Sequence, residues 1–220
     1  MRTIEWNCRG IYNASTDRAL RAQIKRSQPK VIFLYETKAS EEHMDKVMHS
    51  VGFSNKVVVN AKAVKIYDVV CEWIFVGFYG PSYVAKKKKA WENLLALFES
   101  FEIPSVCLGD FNFTTNEDEK LGGKKGSSSH ANYLQELMFE FDAIDLGFSG
   151  NKFTWAKRRR GKSTIKRRLD RAIASISWRL AFPKASIAHL SAIKSDHTPI
   201  CLDSNLDESF AHRPFRFEAA

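Results

Sequence analysis

The residues of this chain that are best suited to chemistry follow apolar, strand-like segments. They are Asn7, Glu36, Tyr79, Asp110, Asn112, Asp170, Asp196 and His197. Strand ends in α/β sheets are the places where ligands and active sites collect. Carboxylates, amides and an imidazole suit a hard cation, a phosphate oxygen or an attacking water. The pattern therefore predicts a functional site at the edge of a sheet.

Glu36 and the pair Asp110 and Asn112 each allow two interpretations. Glu36 follows the apolar run Val31–Tyr35, where a carboxylate is costly unless it is paired or bound to a metal such as Mg²⁺. The alternative is a solvated Glu at a strand end. Asp110 and Asn112 lie two positions apart, so in a strand they point to the same side, as a ligand pair would. A simple Gly-Asp turn explains the same residues.

His197 is the natural water-activating base near neutral pH. Such a base needs a carboxylate to fix its tautomer, and Asp170 is the candidate. Asp196 is a poorer candidate because adjacent side chains point in different directions. The alternative for a single histidine is a structural hydrogen bond.

Apolar strand-like segments alternate with segments of helical periodicity. This order predicts an α/β fold with helices covering sheets of mixed direction. Helices are expected near 17–26, after the capping residue Ser40, over 91–101 and over 134–141. Strands are expected near 4–7, 31–35, 57–59, 65–70, 73–79, 105–108, 152–155, 168–174, 187–193 and 198–202.

The composition excludes several classes of protein. The chain has 220 residues, 44% of them hydrophobic, which fits one ordinary folded domain and excludes overall disorder. Its densest apolar stretch, residues 73–78, is far shorter than the roughly 20 residues that a membrane span needs. The four cysteines are scattered, which predicts reduced thiols, no structural zinc and a location in nucleus or cytosol rather than secretion.

The charge distribution favours a polyanionic partner. Lys and Arg total 34 against 25 Asp and Glu, so the net charge is +9. Residues 152–168 contain nine basic residues and no acidic one, and a shorter basic run covers residues 86–89. The alternative is that these runs are solvated faces or loops.

A series of short motifs resembles the endonuclease/exonuclease/phosphatase family, which includes apurinic/apyrimidinic endonucleases and pancreatic deoxyribonuclease. Within it, the series is most similar to the endonuclease domain of plant non-LTR (long interspersed) retrotransposons. Each motif is weak alone, but their order is highly specific. The motifs cover residues 6–10, 33–38, 77–81, 109–112, 145–148, 153–155, 168–171, 195–197 and 213–218.

The resemblance implies a two-sheet α/β sandwich with helices outside, over residues 1–203. Residues 204–220 would begin a linker toward a reverse transcriptase that this sequence does not contain. It also implies a monomer that cleaves a phosphodiester with Mg²⁺ or Mn²⁺, typically by nicking DNA. Two alternatives stay open: a degenerate, inactive retroelement fragment with at most non-specific nucleic-acid binding, and a phosphatase of small phosphoesters.

The resemblance also implies roles for individual residues. Glu36 would ligate the metal, Asp196 would add negative charge beside it, and Asn7 would lie in the metal and phosphate shell. Tyr79 would contact the scissile phosphate, while Asp110 and Asn112 would orient water. His197 would act as base or phosphate-contacting acid, oriented by Asp170. Backbone phosphates would be contacted by Lys157, Arg158, Arg159, Arg160, Lys162, Lys166, Arg167 and Arg168.

Two features depart from the family pattern. Only 43 positions separate Glu36 from Tyr79, where relatives carry a longer, Gly-Gly-rich segment, so we expect a shortened first sheet. Arg9 stands where cellular repair relatives place an acidic residue of the metal site, although retrotransposon versions often have Arg there.

Overall fold

A computed structural model of the protein describes residues 1–53, 62–67, 70–123, 132–159, 162–191 and 195–204. Within these residues the strands form two five-stranded sheets and one three-stranded sheet. The strands are β1 (Arg2–Asn7), β2 (Val31–Tyr35), β3 (Lys62–Tyr67), β4 (Glu72–Tyr79), β5 (Ser105–Asp110), β6 (Lys120–Leu121), β7 (Ala143–Asp145), β8 (Ser149–Gly150), β9 (Trp155–Arg159), β10 (Lys162–Arg167), β11 (Asp170–Ser175), β12 (Ser186–His189) and β13 (Ile200–Asp203). The helices are α1 (Ala14–Ser27), α2 (Glu41–Ser50), α3 (Val84–Glu99), α4 (Asn132–Glu140) and α5 (Ile176–Ala181).

The two large sheets combine parallel and antiparallel strands, which confirms the predicted fold class. The first sheet has the order β2-β1-β13-β12-β8 and the second has the order β3-β4-β5-β11-β7. β1 runs parallel to β2, and β4 runs parallel to β5. Because parallel strands end at the same edge of a sheet, these pairs bring the residues that follow them together.

The apolar residues of β4 pack on both sides of the second sheet. Trp73 and Phe75 belong to a cluster with Ile200 of the first sheet, which is the core between the two sheets. Ile74 and Val76 belong to a second cluster, on the side covered by α3 and α4. Burial of each large side chain stabilises the fold by about 1.5–3 kcal/mol. The continuous apolar run of β4 is therefore the sequence of a strand buried on both faces.

Local sequence explains where the first two helices begin. Asn13 caps α1, since its side chain accepts a hydrogen bond from the Ser15 backbone N–H. Ser40 caps α2 as predicted, accepting from the His43 N–H. Gly52, with a φ of 85°, follows the end of α2, where a left-handed residue ends a helix without strain.

The basic segment folds differently from the prediction. The strand expected at residues 152–155 is wrong, because β9 begins only at Trp155. Thr154 instead turns its hydroxyl to accept from the N–H groups of Leu169 and Asp170. β9 and β10 form an antiparallel hairpin that pairs with β6 in the third sheet. The strand expected at 187–193 is shorter, since β12 ends at His189.

Some predictions fall partly outside the described residues. The strand near 57–59 lies outside them, and of the strand expected at 65–70 the structure describes β3, which pairs along its length with β4. Residues 205–220 also lie outside, so the boundary near residue 203 stays a prediction. β2 lies at the edge of the first sheet as described. No helix in the described ranges is long and apolar enough to span a membrane.

Candidate active site

Asn7, Glu36 and Tyr79 meet at the edge where the parallel strands end. The Tyr79 hydroxyl donates to Oε1 of Glu36 at 2.6 Å, and Nδ2 of Asn7 donates to the same oxygen at 3.1 Å. The Tyr79 ring stacks on Tyr35, with 5.5 Å between centroids. Glu36 has a φ of 48°, a left-handed conformation that is strained for a residue with a Cβ and is common at functional sites.

The contacts of Glu36 keep its carboxylate ionised. Partial burial alone would raise its pKa, but the hydrogen bonds from Tyr79 and Asn7 and the nearby charge of Arg9 outweigh burial and lower it. The pKa of Tyr79 is raised, by burial and by its bond to Glu36. At neutral pH the pair is therefore a phenol bound to a carboxylate.

Asp110 ends β5 and turns toward Asn7. Its Oδ2 lies 3.4 Å from Nδ2 of Asn7, so one amide joins Asp110 to Glu36. Gly109 lets the strand approach its neighbour, because a Cβ there would lie 1.7 Å from the carbonyl oxygen of Phe78. Burial and the charge of Asp170 raise the pKa of Asp110 to about 7, although His197 and the hydrogen bonds from Asn112 and Asn7 act in the opposite direction.

Of the two interpretations of Asp110 and Asn112, the structure favours the turn over the strand pair, since β5 ends at Asp110 and Asn112 has a left-handed φ of 51°. Its backbone N–H donates to Oδ1 of Asp110 at 2.9 Å, and its side-chain Nδ2 donates to the Gly80 carbonyl at 2.7 Å. Lys87, from the basic run 86–89, donates to the Asn112 carbonyl at 2.8 Å. Asn112 therefore holds the loop in place and orients Asp110.

His197 and Asp170 form the carboxylate–imidazole pair that the sequence predicted. Nδ1 of His197 lies 3.1 Å and 3.2 Å from the two oxygens of Asp170, so Nδ1 carries the hydrogen. Nε2 lies 3.6 Å from Oδ2 of Asp110. Burial would lower the pKa of His197, but the charge and hydrogen bond of Asp170, with Asp110 and Asp196, raise it to about 9. The imidazole is therefore protonated at neutral pH and donates hydrogen bonds.

Glu5 is a buried carboxyl group that sequence reasoning missed. It is fully buried on β1, and neither carboxyl oxygen has a hydrogen-bond partner among the described residues. Burial raises its pKa well above the usual range, and the charges of Asp170 and Asp110 raise it further. The available signal was a lone carboxylate between Ile4 and Trp6, on the same face of the strand as Asn7.

Asp196 is engaged by other side chains. Nε of Arg9 lies 3.0 Å from Oδ1 of Asp196, and the Trp155 indole donates to Oδ2 at 2.9 Å. Arg9 also approaches Oε2 of Glu36 at 3.8 Å. The predicted extra negative charge beside a metal is thus compensated by Arg9.

The sequence of the chain matches a known family over most of its length. Residues 4–197 match the Endonuclease/Exonuclease/phosphatase family. The chain belongs to this family. No curated protein sequence matches it significantly.

Solved structures of this family share the fold. The endonuclease domain of TRAS1, a telomere-specific non-LTR retrotransposon, is 13% identical with a TM-score of 0.66, covering 92% of this chain and 97% of that one. A 3′ phosphatase from Neisseria bound to product DNA hairpin is 16% identical with a TM-score of 0.67, covering 92% and 98%. An AP endonuclease from Archaeoglobus fulgidus is 14% identical with a TM-score of 0.64, covering 92% and 98%. At these identities the likeness shows the fold.

The residues of the site fit a hard divalent cation of the kind that the family implies. Oδ1 of Asn7 is buried and has no partner among the described residues, and it lies beside the ionised Glu36. Amide and carboxylate oxygens are the ligands that Mg²⁺ and Mn²⁺ prefer. Asp110, Asp170 and His197 form a second group, whose ligand atoms all lie within 4.8 Å of one another.

The eight residues that were predicted to contact nucleic acid divide into three groups: three on the described surface of the hairpin, four whose side chains lie outside the described residues, and Arg168. Lys157 and Arg167 are exposed and Lys166 is half-buried on the β9–β10 hairpin, which begins at Trp155 beside His197. The side chains of Arg158, Arg159 and Lys162, and all of Arg160, lie outside the description. Arg168 is the exception and has its own surroundings.

Arg168 does not belong to the exposed basic surface. It is only 6% exposed and binds Glu119 at 2.9 Å and Asp145 at 2.8 Å. Its guanidinium also lies over the Phe148 ring, 4.7 Å from the centroid. Arg171 binds the same two carboxylates. The predicted phosphate contact is therefore wrong for Arg168, because its charge is already compensated inside the fold.

Proposed function

We propose that this protein is a divalent-metal-dependent phosphodiesterase that nicks DNA. The observation that carries the proposal is the Asn7 amide, which joins Glu36 of one sheet to Asp110 of the other. Around it converge Tyr79, Asp170 and His197, so the side chains that phosphodiester hydrolysis requires form one site, which is partly exposed at Tyr79. Membership of the family supports a phosphodiesterase or nuclease function.

Each side chain of the site has a chemical role that its surroundings favour. Glu36 and Asn7 would hold the cation, which supplies positive charge to the phosphate. Asp110, with a pKa of about 7, is suited to accept a proton from the attacking water. His197, protonated and oriented by Asp170, is suited to donate a hydrogen bond to a phosphate oxygen as negative charge develops. Tyr79 fixes the orientation of Glu36.

DNA is the substrate that the surface charge supports. The hairpin β9–β10 begins at Trp155, which pairs with His197 of the site, and it carries Lys157, Lys166 and Arg167. Such residues contact backbone phosphates and give affinity with little sequence preference. The Neisseria relative bound to product DNA and the TRAS1 endonuclease domain support a DNA substrate and a retrotransposon origin.

The alternative of a degenerate fragment is supported less well. Such a fragment would leave the side chains of the motifs apart, whereas contacts link Glu36, Asp110, Asp170 and His197 in one continuous cluster. Activity of the purified protein decides between the two.

The test is nicking of supercoiled plasmid by the purified protein with Mg²⁺, beside release of phosphate from inositol phosphates. We expect nicked plasmid, no phosphate release, and loss of nicking in His197→Ala. His49→Ala, which changes an exposed histidine of α2, is the matched control and should nick normally. Phosphate release without nicking would move the function to small phosphoesters, and failure of both reactions in a folded protein would favour the inactive fragment.

A further inference from the structure

Arg9 places a positive charge between the carboxylates of Asp196 and Glu36. It follows β1 and has a φ of 49°, so a residue with a long side chain is held in the left-handed region. Its Nε lies 3.0 Å from Oδ1 of Asp196 and 3.8 Å from Oε2 of Glu36. The side chain is nevertheless 45% exposed. The Arg9 side chain is therefore held by its ion pair with Asp196 while it remains accessible to solvent.

The Arg9 guanidinium contacts Asp196 and Glu36 through Nε, and both contacts are ion pairs, since Oδ1 of Asp196 has no hydrogen-bond partner among the described residues. Nη1 and Nη2 likewise make no hydrogen bond within the part of the chain that the structure describes. Together these two nitrogens carry four N–H donors in a planar fork, a geometry that matches two oxygens of a phosphate. A partly exposed guanidinium whose Nη donors are unpaired, beside a site that would bind a phosphodiester, is complementary to that anion.

The anchor of Arg9 is itself fixed by the basic hairpin. The Trp155 indole donates to Oδ2 of Asp196 at 2.9 Å, and the Ala156 N–H donates to the Asp196 carbonyl at 2.9 Å. Asp196 is thus held by the first two residues of β9, and Arg9 is held by Asp196. This support reduces the conformational entropy that the guanidinium loses when it binds a ligand.

We propose that Arg9 is a phosphate-binding residue: Nη1 and Nη2 bind the oxygens of a DNA phosphodiester while Nε stays on Asp196. The proposal rests on the proposed DNA-nicking function and assigns substrate binding beside Glu36 to Arg9. It also implies a cost, because a cation near Glu36 repels a divalent metal. Removal of the Arg9 charge should therefore weaken DNA binding and strengthen metal binding, a pair of opposite effects that a merely structural arginine would not produce.

The experiment measures binding of a fluorescein-labelled DNA duplex by anisotropy in EDTA, over a series of salt concentrations. We expect Arg9→Gln to weaken binding about five- to tenfold at low salt and to make the salt slope of log K shallower by about one. Arg26→Gln is the control, because Arg26 is an exposed arginine in the last turn of α1. That turn precedes the start of β2, whereas Arg9 follows the end of β1. It should leave the slope unchanged.

A second variant protects the test against misfolding. Arg9→Gly removes the charge and also the left-handed strain at φ 49°, so it should fold at least as well as the parent chain. Calorimetric titration with Mg²⁺ should give a several-fold lower Kd for either variant than for the unaltered protein. An unchanged salt slope in both variants would overturn the proposal.

The outcome separates this proposal from the proposed function. If the salt slope of DNA binding in EDTA is shallower in the Arg9 variants but the parent protein nicks no plasmid, Arg9 binds phosphate and the nuclease proposal fails. If the parent protein nicks plasmid and the Arg9 variants keep its salt slope, the nuclease proposal stands and the role of Arg9 is refuted.

Discussion

Nδ1 of His197 lies 3.1 Å from Oδ2 of Asp170, and this contact joins the two large sheets. Asp170 begins β11 of the second sheet, whereas His197 precedes β13 of the first. The bond from Asn7 to Asp110 joins the sheets in the same way. The site therefore exists only when the two sheets are packed together, and damage to their packing should abolish activity even when no residue of the site is substituted.

Replacement of Asp170 by Asn should remove the charge that keeps His197 protonated. We expect the pKa of His197 to fall toward its ordinary value and the nicking rate to fall by about 10²–10⁴-fold. NMR titration of the imidazole and plasmid assays check the two effects. His49→Ala should change neither. A normal rate in Asp170→Asn would remove the orienting role from that carboxylate.

The metal-free protein should lose stability as the pH rises. The folded pKa of His197 is raised to about 9, so its contribution is complete below about 6.5 and is lost as the pH passes 9. The raised pKa of Asp110 acts in the same direction through about pH 7. Urea unfolding in EDTA should show a loss of about 2–3 kcal/mol between pH 6.5 and 9.5.

The control for this pH dependence is His197→Gln, which removes the imidazole and should flatten the upper part of the profile. A parent protein whose free energy of unfolding does not change between these pH values would show that His197 is not held in its protonated form.

Arg168 should contribute to stability and not to DNA binding. Its removal leaves the buried Glu119 and the half-buried Asp145 with one cationic partner fewer, which costs about 3–5 kcal/mol. Chemical denaturation of Arg168→Met measures that loss. Arg167→Met, one residue earlier and exposed, should stay within about 0.5 kcal/mol of the parent. Equal stabilities of the two variants would contradict the assignment.

The exposed part of the basic hairpin should behave in the opposite way. Lys157→Gln and Arg167→Gln should each make the salt slope of DNA binding shallower by about one, with thermal stability unchanged. Lys25→Gln, on an exposed position in the last turn of α1, is the charge-matched control. If all three variants give the same slope, the hairpin does not contact DNA.

Much of the site could be predicted because strand ends are visible in sequence. The apolar runs of β2 and β5 locate Glu36 and Asp110 at the carboxyl ends of their strands, and parallel pairing within each sheet places Glu36 near Asn7 and Asp110 near Tyr79. The packing of the two sheets then brings Glu36 and Asp110 to the same amide, that of Asn7. The pairing of His197 with Asp170 was predictable from the chemical need of an imidazole for a carboxylate. The order of the motifs indicated the family that the sequence match confirms.

Other features could not be predicted, since they depend on contacts between distant residues. Arg168 reads as part of a basic run, because its partners Glu119 and Asp145 lie 49 and 23 positions away. Hairpin β9–β10 carries charges without apolar alternation, so its periodicity does not reveal strands. The sequence left a strand pair and a turn open for Asp110 and Asn112, because a left-handed residue after Asp110 leaves no mark in composition.

The proposed function requires that Glu36 and its neighbours form a metal-dependent phosphodiesterase site. The most direct measurement is the initial rate of plasmid nicking against Mg²⁺ concentration for the parent protein, Glu36→Gln and the control Glu42→Gln, which changes an exposed residue of α2. We predict saturable activation by Mg²⁺ in the parent and in Glu42→Gln, and a loss of nicking of at least 100-fold in Glu36→Gln, about the effect of losing one strong electrostatic contact in catalysis. Nicking that persists in EDTA, or that is equal in Glu36→Gln, would contradict the account.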